Sequence, residues 1–191
     1  MAETKESESF CPGDIKAWRN WLKKYHHSKS SVWLVYYKKH TATPSISYNE
    51  AVEEALCFGW IDSTRKTLDK DRFTQLFSKR KPKSVWSAIN KEKVKKLEAE
   101  GRMTIAGMES IKLAKENGCW DILTNIDIIP KDLETALKKY KGSQTYFTGL
   151  SPSTRLAILQ WLVLAKRPET RQKRIDEIAK LAAKRQKPKQ F

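Results

Sequence analysis

Three stretches of this 191-residue chain concentrate residue types that can do chemistry. In the first, Trp60, Asp62, Ser63 and Arg65 follow directly on Gly59. A carboxylate held beside indole rings is pushed toward its neutral form and can serve as an acid or base, with a cation at hand. The plainer reading is a strand leaving a helix, with Trp60 in the core and Asp62 in a salt bridge. In the second, Arg80, Lys81, Lys83, Ser84, Trp86 and Asn90 surround a helix start capped by Ser84 or Ser87. Unbonded N–H groups at that start, flanked by Arg and Lys, would form an anion site. Asn90 interrupts an apolar stripe and requires a polar partner. In the third, Pro168 breaks one helix and begins another, among Lys166, Arg167, Glu169, Thr170, Arg171 and Arg174. Arg171 and Arg174 share a face with Ile175 and Ile178, which should turn inward. They then require acidic partners, Asp62 or Glu169 for Arg171, or a bound anion. Few acids lie in 151–191, so Asp62, Arg80, Trp86, Arg167 and Arg171 are expected around one site.

Other chemistries find little support. There is no G-x-x-x-x-G-K-[ST], G-x-G-x-x-G, G-x-S-x-G or H-E-x-x-H. The histidines are His26, His27 and His40. The first two are adjacent on a helical pattern and should point to different sides, so no metal site and no cofactor is expected. Cys11, Cys57 and Cys119 are odd in number and widely spaced, which suits reduced thiols in a cytosol.

These residues need elements to hold them. Asp14 precedes a helical pattern through Ile15, Trp18, Leu22 and Tyr25. Residues 31–39 are apolar on both faces and read as a central strand. Ser47-Tyr48-Asn49-Glu50 is a capping box that opens a helix ending at Gly59. Residues 60–68 and 72–80 predict an antiparallel hairpin turning at 69–71, with Trp60 opposite Arg80 and Asp62 opposite Ser78. Trp60, Asp62 and Thr64 then share a face. Helices follow from Ser87 (Ile89, Val94, Leu97), over 104–118, after Pro130, and from Ser151-Pro152 through 156–165, resuming past Pro168. The fold class is α+β: a small antiparallel sheet with one helical layer, then a helical C-terminal half. The expected division is a mixed core over 12–125, a helical region packed on it over 126–184, and flexible tails at 1–11 and 185–191.

Charge narrows the partners. The net charge is +16, and it is unevenly spread. Residues 61–100 hold twelve Lys and Arg against six acids, and 151–191 hold eleven against three. Such blocks suit polyanions or phosphorylated ligands, or else form a solvated face. No run of eighteen apolar residues is present and the N-terminal ten residues are polar, so neither a membrane span nor a secretory signal is expected.

Three segments together carry a resemblance: ALCFGWIDS from Ala55, FSKRKPKSVWS from Phe77 with Asn90, and AKRPETR from Ala165 continuing to Ile175. They resemble the YdeI/OmpD-associated family, described as bacteriocin-protection proteins, over about residues 18–182. The resemblance implies a cytosolic protein linked to stress or bacteriocin tolerance, and it implies no catalytic residues. The sequence therefore points to a cytoplasmic protein that binds an anionic ligand, nucleic acid or a phosphorylated small molecule, at a Trp- and Arg-lined site. The alternatives are an enzyme acting on such a molecule through Asp62, clamped by Arg80 and Arg171, and a protein-interaction module. Oligomeric state is left open.

Overall fold

The structure is a computed structural model that describes residues 8–191. The chain divides into two units, one ending at Asp121 and the other spanning Ile122–Phe191. In the first unit a four-stranded sheet has the order β1-β2-β4-β3, built from β1 (Ser9–Phe10), β2 (Ser31–Tyr37), β3 (Trp60–Thr67) and β4 (Arg72–Lys79). The apolar segment 31–37 does lie inside the sheet. The sheet is mixed, however, because β1 runs parallel to β2. Residues 8–11 were expected to lie in a flexible tail. Phe10 instead stacks on Trp21 at 6.0 Å and reaches Trp18 at 6.3 Å, and this aromatic anchor seats Ser9–Phe10 beside Trp33 and Leu34. Residues 1–7 of that expected tail lie outside the described residues.

The hairpin turns where its sequence requires. Asp69 Oδ1 accepts from the N–H groups of Asp71 (2.8 Å) and Arg72 (2.7 Å), fixing the turn. Near it the register is the expected one, with Arg65 opposite Gln75 and Thr67 opposite Phe73. A β-bulge between Asp62 and Arg65 then shifts the ladder by one residue. Trp60 consequently pairs with Lys79 and Asp62 with Phe77, not with Arg80 and Ser78. The bulge also puts Arg65 on the face of Asp62, where alternation alone places Thr64; Thr64 is exposed.

Helices α1 (Ile15–Tyr25) and α2 (Tyr48–Cys57) cover that face. Asp14 caps α1 by accepting from Ala17 N–H at 2.7 Å, and the Ser47/Glu50 capping box opens α2. Trp18 meets Phe77 edge-on at 5.5 Å and Trp21 meets Trp60 at 5.8 Å. The indole of Trp18 donates to Ala51 O, so this buried ring is also polar-satisfied. Helix α3 (Ala88–Ala99) begins at the Ser87 cap and buries Val94 and Leu97, while Ile89 stays 67% exposed. Helix α4 (Ile105–Glu116) begins at Thr104, whose N–H and Oγ1 both donate to Cys57 O. Gly107 sits so close to that carbonyl that a Cβ would lie 2.3 Å from it.

The second unit is helical: α5 (Lys131–Lys138), α6 (Ser143–Thr148), α7 (Pro152–Val163) and α8 (Pro168–Ala183). Its core is separate and includes Leu133, Leu137, Phe147, Leu159, Ile175 and Ile178. Residues 185–191 were expected to fray, yet Pro188 is buried and the Phe191 ring meets Trp161 at 5.9 Å. An aromatic residue at the tail's end gives it something to bury.

Candidate functional site

Moving along the covered sheet face toward the hairpin tip, the side chains change from apolar to polar. The Tyr48 hydroxyl, at the first turn of α2, donates to Asp62 Oδ2 at 2.7 Å, and Gln75 Nε2 donates to the same oxygen at 3.3 Å. Gln75 also donates to Ser63 O at 2.9 Å, tying the bulge to β4. Burial and then the bond to Asp62 push the Tyr48 phenol up to about 12. Tyr48 therefore keeps its proton and donates it to the bond with Asp62. Next to them the ring of Tyr36 stacks on Phe73 at 4.8 Å, and the guanidinium of Arg65 lies 3.9 Å over the other ring partner, Phe73. Burial, aided by the Asp62 charge, pushes the Tyr36 phenol far above its ordinary value.

An open depression of about 690 Å³ lies here, lined by Tyr36, Tyr48, Arg65, Phe73 and Lys39 under the 42–47 loop. Ala42, in that loop, has the left-handed φ of 52° that non-glycine residues seldom adopt. Lys38 is committed elsewhere, donating to the carbonyls of Asp69 and Lys70.

Among the described residues, three buried side-chain polar atoms have no hydrogen-bond partner: Tyr36 Oη, Trp60 Nε1 and Arg80 Nε. The Asp62 charge acts on two of their residues, Tyr36 and Arg80. Arg80 packs its guanidinium 3.6 Å over Trp86, donating to Ser84 Oγ (3.4 Å) and Val85 O (3.3 Å). Burial lowers it to about 10, against the pull of Asp62. Trp86 in turn meets Trp120 at 5.0 Å. The cavity beside Arg80, Ser84 and Trp86 measures about 20 Å³, enough for one water and no organic ligand. Ser84 donates to Lys81 O and the helix cap is Ser87, which accepts from the Asn90 N–H. Asn90 is thus a half-buried first-turn residue of α3 rather than a break in its stripe.

The third cluster is organised inside the second unit. Arg171 donates to both oxygens of Asp132, Nε at 2.7 Å and Nη2 at 3.0 Å, and its partner is therefore neither Asp62 nor Glu169. That pair holds the Asp132 carboxyl below the usual carboxylate range. Arg174 donates to Trp161 O and lies 4.6 Å over the Trp161 ring. Lys166 and Arg167 are exposed, and Arg167 is the α8 cap residue without a side-chain cap bond. The structure brings together Trp60, Asp62 and Arg65 in one unit, with Arg80, Ser84 and Trp86 nearby in that unit, and Lys166, Arg167, Arg171 and Arg174 in the other.

Several participants had no motif to announce them. Tyr36 and Gln75 look like ordinary strand residues; strand pairing sets Tyr36 beside Phe73, and Gln75 bonds Asp62 on the neighbouring strand. Asp132 follows Pro130 by two residues and could have been read as a first-turn acid. Glu54 is 2% exposed and is clamped by Arg19 (2.5 Å) and Arg102 (2.6 Å). Burial opposes the Arg102 charge, but its bonds to Glu54 and Glu100 hold it above its ordinary value. His26 and His27 also differ from expectation: they lie past the end of α1 with ring centroids 3.8 Å apart. Among the described residues no group of three or more His, Cys, Asp or Glu is placed to hold a metal. Nor is any described helix long and apolar enough to cross a membrane.

Two family models match the chain. Residues 10–110 match the one described as a domain of unknown function (DUF8412), and residues 128–185 match the one described as bacteriocin-protection, YdeI or OmpD-associated. No curated protein and no solved structure matches it. The resemblance expected over 18–182 is therefore met over the C-terminal part. The Ala55 and Phe77 stretches fall in the other match.

Proposed function

We propose that this chain, which belongs to the DUF8412 family and carries a YdeI/OmpD-associated segment at 128–185, binds a small phosphorylated molecule with a planar group through its first unit. The observation that carries the reading is the roughly 690 Å³ depression whose wall is the Tyr36–Phe73 stack capped by Arg65. A flat group can lie against the Arg65 guanidinium that caps this stack, and Arg65 and Lys39 offer two cations to an anion. Asp62, whose Oδ2 accepts from Tyr48 and Gln75, offsets one of these charges and leaves the two cations in excess of it. The buried Tyr36 hydroxyl supplies a donor with no protein acceptor, the kind of group a ligand oxygen satisfies. We place this binding in bacteriocin protection on the strength of the C-terminal match, and in the cytoplasm on the strength of the free thiols.

Isothermal titration with phenyl phosphate and with AMP tests it. Binding to the native chain should weaken at least tenfold in Arg65→Ala. Unchanged binding in that variant, or none in the native chain, refutes the reading. Hydrolysis of phenyl phosphate that disappears in Asp62→Asn would instead make the protein an enzyme acting through Asp62.

A further inference from the structure

We infer that the second unit carries a separate binding surface for single-stranded nucleic acid, formed where its C-terminal residues fold back on α8. The chain turns there because Arg185 adopts a left-handed φ of 55°, with Gln186 N–H donating to Leu181 O and Arg185 N–H to Ala182 O. Pro188 and Phe191 then pin the returning strand of chain to the core. Two depressions result, of about 970 Å³ and about 510 Å³, and they adjoin at Tyr146 and Arg185, which line both and make one trough-like surface with them. Around it stand Lys141, Lys180, Lys184, Arg185, Lys187 and Lys189, against the side-chain carboxylate of Glu177. Among the described residues none of these six cations takes part in an ion pair.

The occupant follows from this chemistry. Five of the six cations are lysines, compact point charges on flexible stems, which follow a phosphodiester chain without demanding one geometry. Between them the trough offers planar rings, Tyr146 and Phe191, on which unpaired bases stack irrespective of sequence. The unit is wholly helical, so it has no open strand edge with which to pair an acidic peptide.

Fluorescence anisotropy of the full chain with a labelled oligothymidylate of about fifteen nucleotides reads this out. With about four phosphate contacts, affinity should fall about fifty-fold between about 50 and 200 mM salt. The double variant Lys184→Ala, Lys187→Ala should bind about tenfold more weakly and roughly halve the salt slope. Lys16→Ala with Lys112→Ala, on the first unit, should leave binding unchanged. Three results would overturn the inference: absence of binding at low salt, equal losses in the two lysine pairs, or displacement of the oligonucleotide by polyglutamate at equal charge.

Discussion

A carboxylate's worth to this protein depends on how far its partners exclude water. Glu54, buried and gripped by two arginines, should cost about 3–5 kcal/mol when replaced by Ala, because two half-buried guanidiniums lose their acceptor. Arg171 was expected to be a buried cation, but its side chain is 29% exposed and Asp132 is 44% exposed. Arg171→Ala should therefore cost only about 1 kcal/mol, despite the two-pronged bond. Urea unfolding of both variants checks the ordering, and equal losses would contradict it. The pH dependence of the second pair has a defined sign. Asp132 is held below its unfolded value, so its stabilisation is present at neutral pH and disappears as pH falls through the folded value. Tyr48 behaves oppositely: raised to about 12, it favours the fold fully below the ordinary tyrosine value near 10 and loses that contribution as pH rises toward 12. An alkaline absorbance titration of the folded protein should lose its highest-pH accessible phenol step in Tyr48→Phe. Asp62 and Arg65 were visible in the sequence as chemistry-bearing residues. Tyr36 and Gln75 were not, since their partners, Phe73 and Asp62, lie on neighbouring strands distant in sequence.

Elements here are positioned by caps and by one close approach. Cys57 O, at the end of α2, accepts from Thr104, and Gly107 lies against that carbonyl. Gly107→Ala puts a methyl group 2.3 Å from it, closer than real Cβ contacts allow, and α4 must move away. Helix propensity alone predicts a gain of roughly 1 kcal/mol for this change. The clash outweighs it, so a net loss of about 1–3 kcal/mol in chemical denaturation is expected. Asp14, Ser47, Ser87 and Ser151 were legible as helix starts because capping is local chemistry. The hairpin was legible too, down to its register beside the turn. The bulge was not, because nothing in Ser63-Thr64 marks an extra residue; its effect is to bring Asp62 and Arg65 to one face. Strand β1 escaped for a related reason: two residues have no period, and Phe10 finds its place only through Trp18 and Trp21.

At the scale of the whole molecule, a net +16 works against folding through self-repulsion. Raising salt from about 10 to 150 mM shortens the screening length from about 30 to about 8 Å. The ion pairs, all at 4.0 Å or less, fall inside that length, whereas repulsion between distant lysines does not. Melting temperature should accordingly rise by a few degrees with salt. A fall would show that the pairs outweigh the repulsion. The charge blocks at 61–100 and 151–191 were plain in the composition. That the second contains a pinned tail was hidden by its polar, Lys-rich appearance, which is also the appearance of a frayed end.

The buried thiol of Cys57 has a kinetic meaning. Burial, with the Glu54 charge added, lifts it to about 11, so a thiol reagent meets neither an accessible sulfur nor a thiolate while the surrounding packing is intact. Its alkylation rate thus counts the moments at which that packing opens. All three cysteines precede Ile122. The same chain therefore carries a clock for transient opening of one unit that is blind to the other, and mass spectrometry of the labelled Cys57 peptide can read it in the native protein.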